Sequence, residues 1–214
     1  MTSVLTADQF ADILLGRPPR EAREAVLALV DGGAPPRTVY LKVLGPALEE
    51  VGSRWERGVA TVAQEHLATA IVSSIMASVA PRLEEPPPIG RRVVLASTDG
   101  EMHVVGLRMV GDFLEADGWE VYYLGAATPG ADLLRLVDQT RPDAVGLSTT
   151  LTTHLDAARE AIQLLKARPE PTFVFVGGHA YASDPEIAAG VGADAVALDA
   201  GAASAMLRTR FGAT

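Results

Sequence analysis

Apolar residues in the first part of the chain recur every three or four positions, which is the spacing of amphipathic helices. We predict four such helices. Their expected starts are a Thr-x-x-Gln capping box at Thr6, the Pro18–Pro19 pair, the Pro35–Pro36 pair and about Val59. Their expected ends are Gly16, Asp31, the glycine at 58 and Val79. Four consecutive helices of this kind predict a small helical bundle over residues 1–83.

The hydrophobic period changes after residue 90. Five short apolar runs alternate with helical stretches, at residues 93–96, 120–124, 144–147, 172–176 and 195–198. This alternation predicts a parallel, doubly wound sheet with right-handed crossovers and the strand order 2-1-3-4-5. A proline-rich stretch at 84–90 separates the two patterns as a stiff linker. The predicted fold class is therefore α/β, with an N-terminal four-helix bundle followed by a flavodoxin-like (Rossmann-like) five-stranded parallel sheet over residues 91–214.

Charge and composition narrow the classes of function. The net charge of −9 repels phosphate backbones, so direct nucleic-acid binding is not expected. The absence of cysteine excludes disulfides, cysteine-bound zinc and a thioether-linked chromophore. The chain starts without a signal-peptide pattern, and no apolar run approaches about 18 residues. We therefore expect a cytoplasmic protein that does not bind membranes.

One motif stands at the end of the first predicted strand, the edge where open α/β sheets bind ligands. It reads Glu101-x-His103-x-x-Gly106. A neutral imidazole is a good metal ligand, and a carboxylate two residues away is placed to hold its other ring N–H. Taken alone, His103 is equally well explained as a surface histidine beside an acid, because short motifs recur by chance.

Two further elements follow the third and fourth predicted strands. They are Ser148-Thr149-Thr150 and Gly177-Gly178. The sequence lacks the Gly-x-Gly-x-x-Gly of dinucleotide sites, a Walker A motif and a Gly-x-Ser-x-Gly elbow. The third strand ends in Ser148, where a phospho-receiver domain would carry an acceptor aspartate. A sheet without a ligand would leave the glycines and hydroxyls at three strand ends unexplained.

In this order the three elements resemble the fingerprint of the cobalamin-binding (B12-binding) domain, with Glu101 in place of the usual aspartate. The resemblance implies that His103 is the lower axial ligand of cobalt and that Glu101 holds its ring. It implies that Gly106 leaves room for the nucleotide tail of the cofactor. Ser148 and Thr150 would line the pocket, and Gly177 and Gly178 would allow a close approach to the nucleotide. His154 and His179 are expected to support this site or to lie on the surface.

The predicted bundle carries Trp55 and, after nine intervening residues, Glu65-His66. This spacing resembles that of adenosylcobalamin photoreceptors of the CarH and LitR type. The resemblance implies that Trp55 and Glu65 contact the adenosyl group and that His66 binds cobalt after photolysis. It further implies a light sensor that is not an enzyme and that signals through a protein partner or self-association, since no basic DNA-binding module precedes the bundle. The related photocobilins also hold biliverdin, which in this chain would be non-covalent. Each residue also has a structural explanation, as bundle core or solvated helix surface.

The alternative from another class is a corrinoid shuttle protein of a methyltransferase system, which has the same layout. Such a protein exposes the upper face of cobalt to partner enzymes. Trp55 and His66 argue against it, since a bulky ring and a competing ligand would hinder methyl transfer. A mutase fragment fits less well because the substrate barrel is missing, and a storage protein would leave the Trp55, Glu65 and His66 pattern unexplained.

Overall fold

The computed structural model describes residues 5–84, 86–182 and 185–212. The chain divides into two compact units, Met1–Leu83 and Glu84–Thr214. The first unit is helical and the second is built on a parallel sheet. Within the described ranges, none of the helices has the length and apolar character needed to cross a membrane.

The helices of the first unit follow the predicted apolar pattern. They are α1 (Ala7–Gly16), α2 (Pro19–Asp31), α3 (Pro36–Val39), α4 (Gly45–Glu56) and α5 (Val62–Val79). The predicted capping box of α1 is present, since the Thr6 hydroxyl accepts from the Gln9 N–H and the Gln9 side chain accepts from the Thr6 N–H. Buried apolar side chains such as Phe10, Val26 and Ile75 form the interior of this unit.

The third predicted helix contains a π-helical turn, Tyr40–Leu44, between α3 and α4. The N–H of Gly45 donates to the carbonyl of Tyr40, which is five residues earlier. Pro46 follows directly, and a proline ring clashes with the carbonyl four residues before it and donates no hydrogen bond. The wider turn accommodates Pro46, a distortion that the apolar period did not reveal.

The fourth predicted helix begins later than expected. The sequence placed its start at about Val59, whereas α5 begins at Val62 after a turn in which Gly58 has φ +72. A second capping box, Thr61 with Gln64, determines this start. The Thr-x-x-Gln pattern at Thr61 has the same form in the sequence as the one at Thr6.

The second unit confirms the predicted sheet. Its strands are β1 (Arg92–Ser97), β2 (Glu120–Gly125), β3 (Ala144–Ser148), β4 (Phe173–Gly177) and β5 (Ala195–Val196). All neighbouring pairs are parallel, and the order is β2-β1-β3-β4-β5. Strand β5 is two residues shorter than predicted and ends at Val196, although the N–H of Ala197 still donates to the carbonyl of Val176 in β4. The register aligns Ser97 with Ser148 and Ser148 with Gly177, so the polar ends of three strands share one edge.

Helices cover both faces of this sheet. They are α6 (Val105–Glu115), α7 (Gly130–Thr140), α8 (Leu155–Lys166), α9 (Pro185–Gly190) and α10 (Ala200–Phe211). Successive residues of a strand point to opposite faces. Val94 and Ala96 accordingly pack in one cluster with residues of α7 and α8, while Val93 and Leu95 pack in the other with residues of α6 and α10.

The predicted linker is partly attached to the second unit. Ile89 donates its N–H to the carbonyl of Gly118, and a side chain at Gly118 would meet the carbonyl of Pro87 at 2.7 Å. Residue 85 lies outside the described residues. From Pro87 to Ile89 the segment therefore packs on the turn before β2.

Candidate cobalamin site at the carboxyl end of the sheet

Glu101 is the centre of the site at the carboxyl ends of β1 and β3. Its side chain is fully buried although it lies in a loop. The backbone N–H of Glu101 donates to the carbonyl of Thr98, and its carbonyl accepts from the N–H of Ala127. The backbone N–H and the carbonyl of Glu101 are therefore both hydrogen-bonded, which fixes the loop after β1 at this residue.

Both carboxylate oxygens of Glu101 accept backbone hydrogen bonds. Oε1 accepts from the N–H of His103 at 3.0 Å. Oε2 accepts from the N–H groups of Thr150 at 2.8 Å and Leu151 at 3.0 Å. Because β1 and β3 are neighbours, one carboxylate joins the loops that follow both strands.

These hydrogen bonds also decide the charge of Glu101. Burial raises the pKa of its carboxyl group, but the hydrogen bonds from His103, Leu151 and Thr150 outweigh burial and lower the pKa from 4.5 to about 2. Glu101 is therefore ionised at neutral pH and accepts hydrogen bonds at both oxygens.

The His103 ring is oriented by this carboxylate. Nδ1 of His103 lies 2.5 Å from Oε1 of Glu101. Since an ionised carboxylate only accepts, Nδ1 carries the proton and the lone pair of the neutral ring is on Nε2. The side chain is 51% exposed. An exposed imidazole with a fixed tautomer and a carboxylate behind it is arranged as a metal ligand.

A second imidazole contacts the same carboxylate. Nδ1 of His154 lies 3.3 Å from Oε2 of Glu101, and this side chain is 23% exposed. The ring also packs against Gly100, where an added Cβ would lie 3.3 Å from Nε2 of His154. The sequence placed His154 after the third strand but gave no means of predicting this contact.

Gly106 lies in the first turn of α6 and is exposed. A Cβ built at this position would meet nothing within 4 Å. Neither a positive φ nor a close contact within the protein explains the glycine, and the open space beside it is available to a ligand. The expected role of Gly106 in leaving room for a nucleotide tail fits this geometry.

The two glycines after β4 have a different surrounding. A Cβ at Gly177 would lie 2.5 Å from the carbonyl oxygen of Ala197. A Cβ at Gly178, which has φ +102, would lie 2.3 Å from the carbonyl oxygen of Thr149. Close approach of neighbouring backbone segments therefore explains both glycines, and their expected contact with a nucleotide stays a prediction.

The expected pocket residues after β3 are placed at the same edge. Ser148 is buried, and its carbonyl accepts from the N–H of Thr98 at 3.1 Å. Thr150 is partly exposed and holds Glu101 through its backbone N–H, a role that the sequence did not suggest. The predicted hydroxyl contacts of Ser148 and Thr150 with a ligand remain predictions.

A chain of buried hydroxyl groups beneath this edge was missed. Thr149 Oγ1 lies 3.4 Å from Thr98 Oγ1 and 3.2 Å from the hydroxyl of Tyr181. The three side chains come from the segments after β1, β3 and β4. Only the strand order, which brings these segments together, could have indicated them.

The structure places the predicted residues of the helical unit on its surface. Trp55 lies near the end of α4 and is 44% exposed. Glu65 and His66 lie in the first turns of α5, with 3.6 Å between Glu65 Oε2 and His66 Nε2. Glu65 also accepts from the Thr69 hydroxyl at 2.9 Å, whereas the His66 side chain is 75% exposed. Trp55 is therefore not core, and His66 is accessible to a ligand.

Exposed apolar side chains accompany these residues. Val59, Val62 and Leu67 are all exposed, in the turn after α4 and in the first turns of α5. Leu67 lines a groove with residues of α2, whereas Val59 and Val62 lie in the chain between Trp55 and Glu65. Near Trp55 and His66 the helical unit therefore exposes apolar side chains together with one imidazole and one carboxylate.

Comparisons with known proteins identify the family of both units. The profile of the B12 binding domain family matches residues 91–207, and a second profile with the same description matches residues 6–79. The first match covers most of the sheet unit and includes Glu101, His103 and Gly106. The second covers α1 to α5.

The relatives include transcriptional repressors and corrinoid proteins. The chain is 39% identical to the HTH-type transcriptional repressor CarH of Myxococcus xanthus over 158 residues. This match covers 72% of this chain and 52% of that protein. It is 28% identical over 152 residues to dimethylamine corrinoid protein 3 of Methanosarcina acetivorans, or 67% of this chain and 70% of that protein. The chain spans about half the length of the repressor that it matches.

The fold is that of a solved corrinoid protein. The monomethylamine corrinoid protein of Methanosarcina barkeri superposes with a TM-score of 0.85 at 20% identity, over 95% of this chain and 97% of that chain. A helical unit, a parallel sheet of this order and a carboxylate-oriented histidine at its carboxyl edge thus occur together in one chain. The chain belongs to the B12-binding domain family and is a cobalamin-binding protein.

Proposed function

We propose that this protein is a light sensor that binds adenosylcobalamin, with His103 as the lower ligand of cobalt and His66 as the upper ligand after illumination. The observation that carries the proposal is the exposed position of Trp55 and His66 on the helical unit, in a spacing that resembles CarH-type photoreceptors. The 39% identity to the repressor CarH supports it.

The lower side of the proposed site is supplied by the sheet unit. Glu101 fixes the Nδ1–H tautomer of His103, which directs the Nε2 lone pair outward for cobalt. Gly106 leaves space at the start of α6. Ser148, Thr150, Gly177 and Gly178 lie at the same edge of the sheet and would be the residues nearest to the nucleotide tail.

The upper side is supplied by the helical unit. Adenosylcobalamin contributes a cobalt–carbon bond that visible light breaks. Trp55 would contact the adenosyl group, and Glu65 would accept a hydrogen bond from it. His66, which is more exposed than Glu65, would be the residue available to bind cobalt after illumination. Movement of α4 and α5 then changes the surface presented to a protein partner or a second copy, as in other two-state switches biased by a local ligand.

On this proposal the protein is a regulator and not an enzyme, and adenosylcobalamin is its cofactor. A non-covalently bound biliverdin is not part of the proposal, because no feature of the described residues calls for one.

Absorption spectra of the adenosylcobalamin-loaded protein, taken in darkness and after green light, test the proposal. We expect a stable shift to a spectrum with histidine on both sides of cobalt. His66→Ala should bind the cofactor in the dark but give a different illuminated spectrum. His179→Ala, an exposed histidine after β4, is the matched control. A wild-type illuminated spectrum in His66→Ala would remove His66 from the mechanism.

A corrinoid carrier in methyl transfer is the second candidate. It is favoured by the 28% identity that extends over 70% of a dimethylamine corrinoid protein. A carrier needs an upper face that is open to a partner enzyme, which the bulk of Trp55 opposes. Preferential binding of methylcobalamin, with no ligand exchange on illumination, would replace the light-sensor proposal with this one.

A further inference from the structure

The carboxylate behind His103 is shared with a second imidazole. Glu101 receives five N–H groups, from the backbone and ring of His103, the backbones of Thr150 and Leu151 and the ring of His154. A carboxylate offers about four lone-pair positions. The hydrogen-bonding capacity of Glu101 is therefore fully used, and its partners compete for the same negative charge.

The five donors are distributed unequally. Oε1 accepts only from His103, from its backbone N–H and from its ring nitrogen at 2.5 Å. Oε2 accepts from two backbone N–H groups and from the His154 ring. The His154 ring is the most distant partner, at 3.3 Å. The two backbone donors are fixed by the chain, so the His154 contact is the one that a side-chain change can add or remove.

The position of His154 is constrained by its surroundings. It directly precedes α8, and its backbone N–H donates to the carbonyl of Leu151. Its ring lies against Gly100, one residue before Glu101, in a space that any larger residue at 100 would restrict. Gly100 has φ +80, a conformation that favours glycine. The loop after β1 and the turn before α8 thus hold the His154 ring beside the carboxylate.

We propose that His154 is a positioning residue that sets how strongly His103 binds cobalt. Its ring N–H donates to Glu101 and so reduces the negative charge that the carboxylate presents to His103. The inference rests on the proposed role of His103 as the lower ligand. A carboxylate that accepts from the distal N–H of a ligand histidine raises the basicity of that ring. Each additional donor on the same carboxylate reduces this effect, so His154 holds His103 at a lower donor strength than Glu101 alone would give.

The proposal predicts an effect for one substitution of His154 and none for another. His154→Leu removes the ring N–H, leaves more charge on the carboxylate and strengthens the bond from His103 to cobalt. His154→Gln retains an N–H donor at a similar reach and should behave like the wild type. His179→Leu removes an exposed histidine after the next strand and is the control for loss of an imidazole elsewhere.

The experiment uses cob(II)alamin bound to the full chain labelled with ¹⁵N-histidine, measured by electron paramagnetic resonance. A protein imidazole on cobalt splits the signal into doublets, whereas the cofactor's own unlabelled base gives triplets. We expect the ratio of histidine-bound to histidine-free cobalt to rise roughly two- to tenfold in His154→Leu, below the ten- to hundredfold effect typical of a directly attached partner. The splitting should also increase.

The outcomes separate the two proposals. A wild-type spectrum without doublets would refute His103 as the lower ligand. Doublets in the wild type that are unchanged or weakened in His154→Leu would overturn the role of His154. Equal changes in His154→Leu and His154→Gln would also overturn it, because packing and not the shared carboxylate would then be responsible. A ¹⁵N spectrum of the cofactor-free protein gives a second test, since the imidazole shifts of His103 should move in His154→Leu and not in His154→Gln.

Discussion

Oε2 of Glu101 accepts a 2.8 Å hydrogen bond from the backbone N–H of Thr150, a residue that lies 49 positions later in the chain. This contact joins the loop after β1 to the loop after β3. The acid that orients the ring of His103 is therefore also a structural connection between neighbouring strands. The proposed cobalt ligand and the connection between the two loops therefore share one buried carboxylate.

Replacement of Glu101 by glutamine should destabilise the protein even without a cofactor. A glutamine amide would direct N–H donors at backbone N–H groups that need an acceptor. We expect a loss of about 2–4 kcal/mol in the free energy of unfolding, measured by urea denaturation. Glu120→Gln is the control, because that side chain is 57% exposed and pairs with Arg92 on the surface; its cost should stay below about 1 kcal/mol. Equal costs for the two variants would contradict the structural role of Glu101.

The lowered pKa of Glu101 predicts an acid-dependent stability. The folded-state pKa of about 2 lies below the ordinary value of 4.5, so the stabilisation is complete above pH 4.5 and is lost as the pH falls toward 2. The contribution is about 3 kcal/mol. The difference in unfolding free energy between wild type and Glu101→Gln should narrow over this range. A difference that is constant from neutral to acid pH would show that Glu101 is not held ionised by its partners.

Gly106→Leu should affect binding without affecting the fold. A side chain at this exposed position in α6 meets no protein atom within 4 Å of its Cβ. Leucine is also the better helix former, so the cofactor-free protein should keep or gain up to about 1 kcal/mol of stability. Crowding of the ligand should weaken cobalamin binding roughly 5- to 150-fold, measured by titration of absorbance. Gly190→Leu, at an equally open glycine of α9, should bind normally, and unchanged affinity in Gly106→Leu would place the cofactor elsewhere.

Gly178→Ala, unlike Gly106→Leu, should destabilise the cofactor-free fold. Its Cβ would lie 2.3 Å from the carbonyl oxygen of Thr149, and the φ of +102 is unfavourable for alanine. We expect a loss of roughly 1–3 kcal/mol in the unfolding free energy of the cofactor-free protein. Thermal unfolding at matched protein concentration measures this, and a melting temperature equal to that of the wild type would contradict the close backbone contact.

His103→Ala should remove the histidine ligand from cobalt. Affinity for cobalamin should fall by about tenfold or more, and the spectrum of bound cofactor should lose the features of imidazole coordination. Titration of the absorption spectrum measures both effects, with His179→Ala as the control. Unchanged spectra and affinity would refute the assignment of His103.

Much of the fold was predictable because it depends on local patterns. The Thr6–Gln9 capping box and the five apolar runs gave the helical unit, the parallel sheet and its order. The structure departs from the predicted bounds where a local signal or a neighbouring residue changes the backbone. Pro46 produced a π-helical turn, Thr61 delayed the start of α5, and β5 ended after Val196.

The sequence by itself determined which residues are candidates for the site: an acid, a histidine and a glycine at fixed spacing after a strand, and Trp55 with Glu65 and His66 in consecutive helices. Only the tertiary structure decided how Glu101 is used, because its partners at Thr150, Leu151 and His154 are brought to it by the pairing of β1 with β3. Spacing along a chain reports contacts within one loop or helix. A buried carboxylate shared by two imidazoles depends on parallel strands that place distant residues at one edge, and that information exists only in the folded sheet.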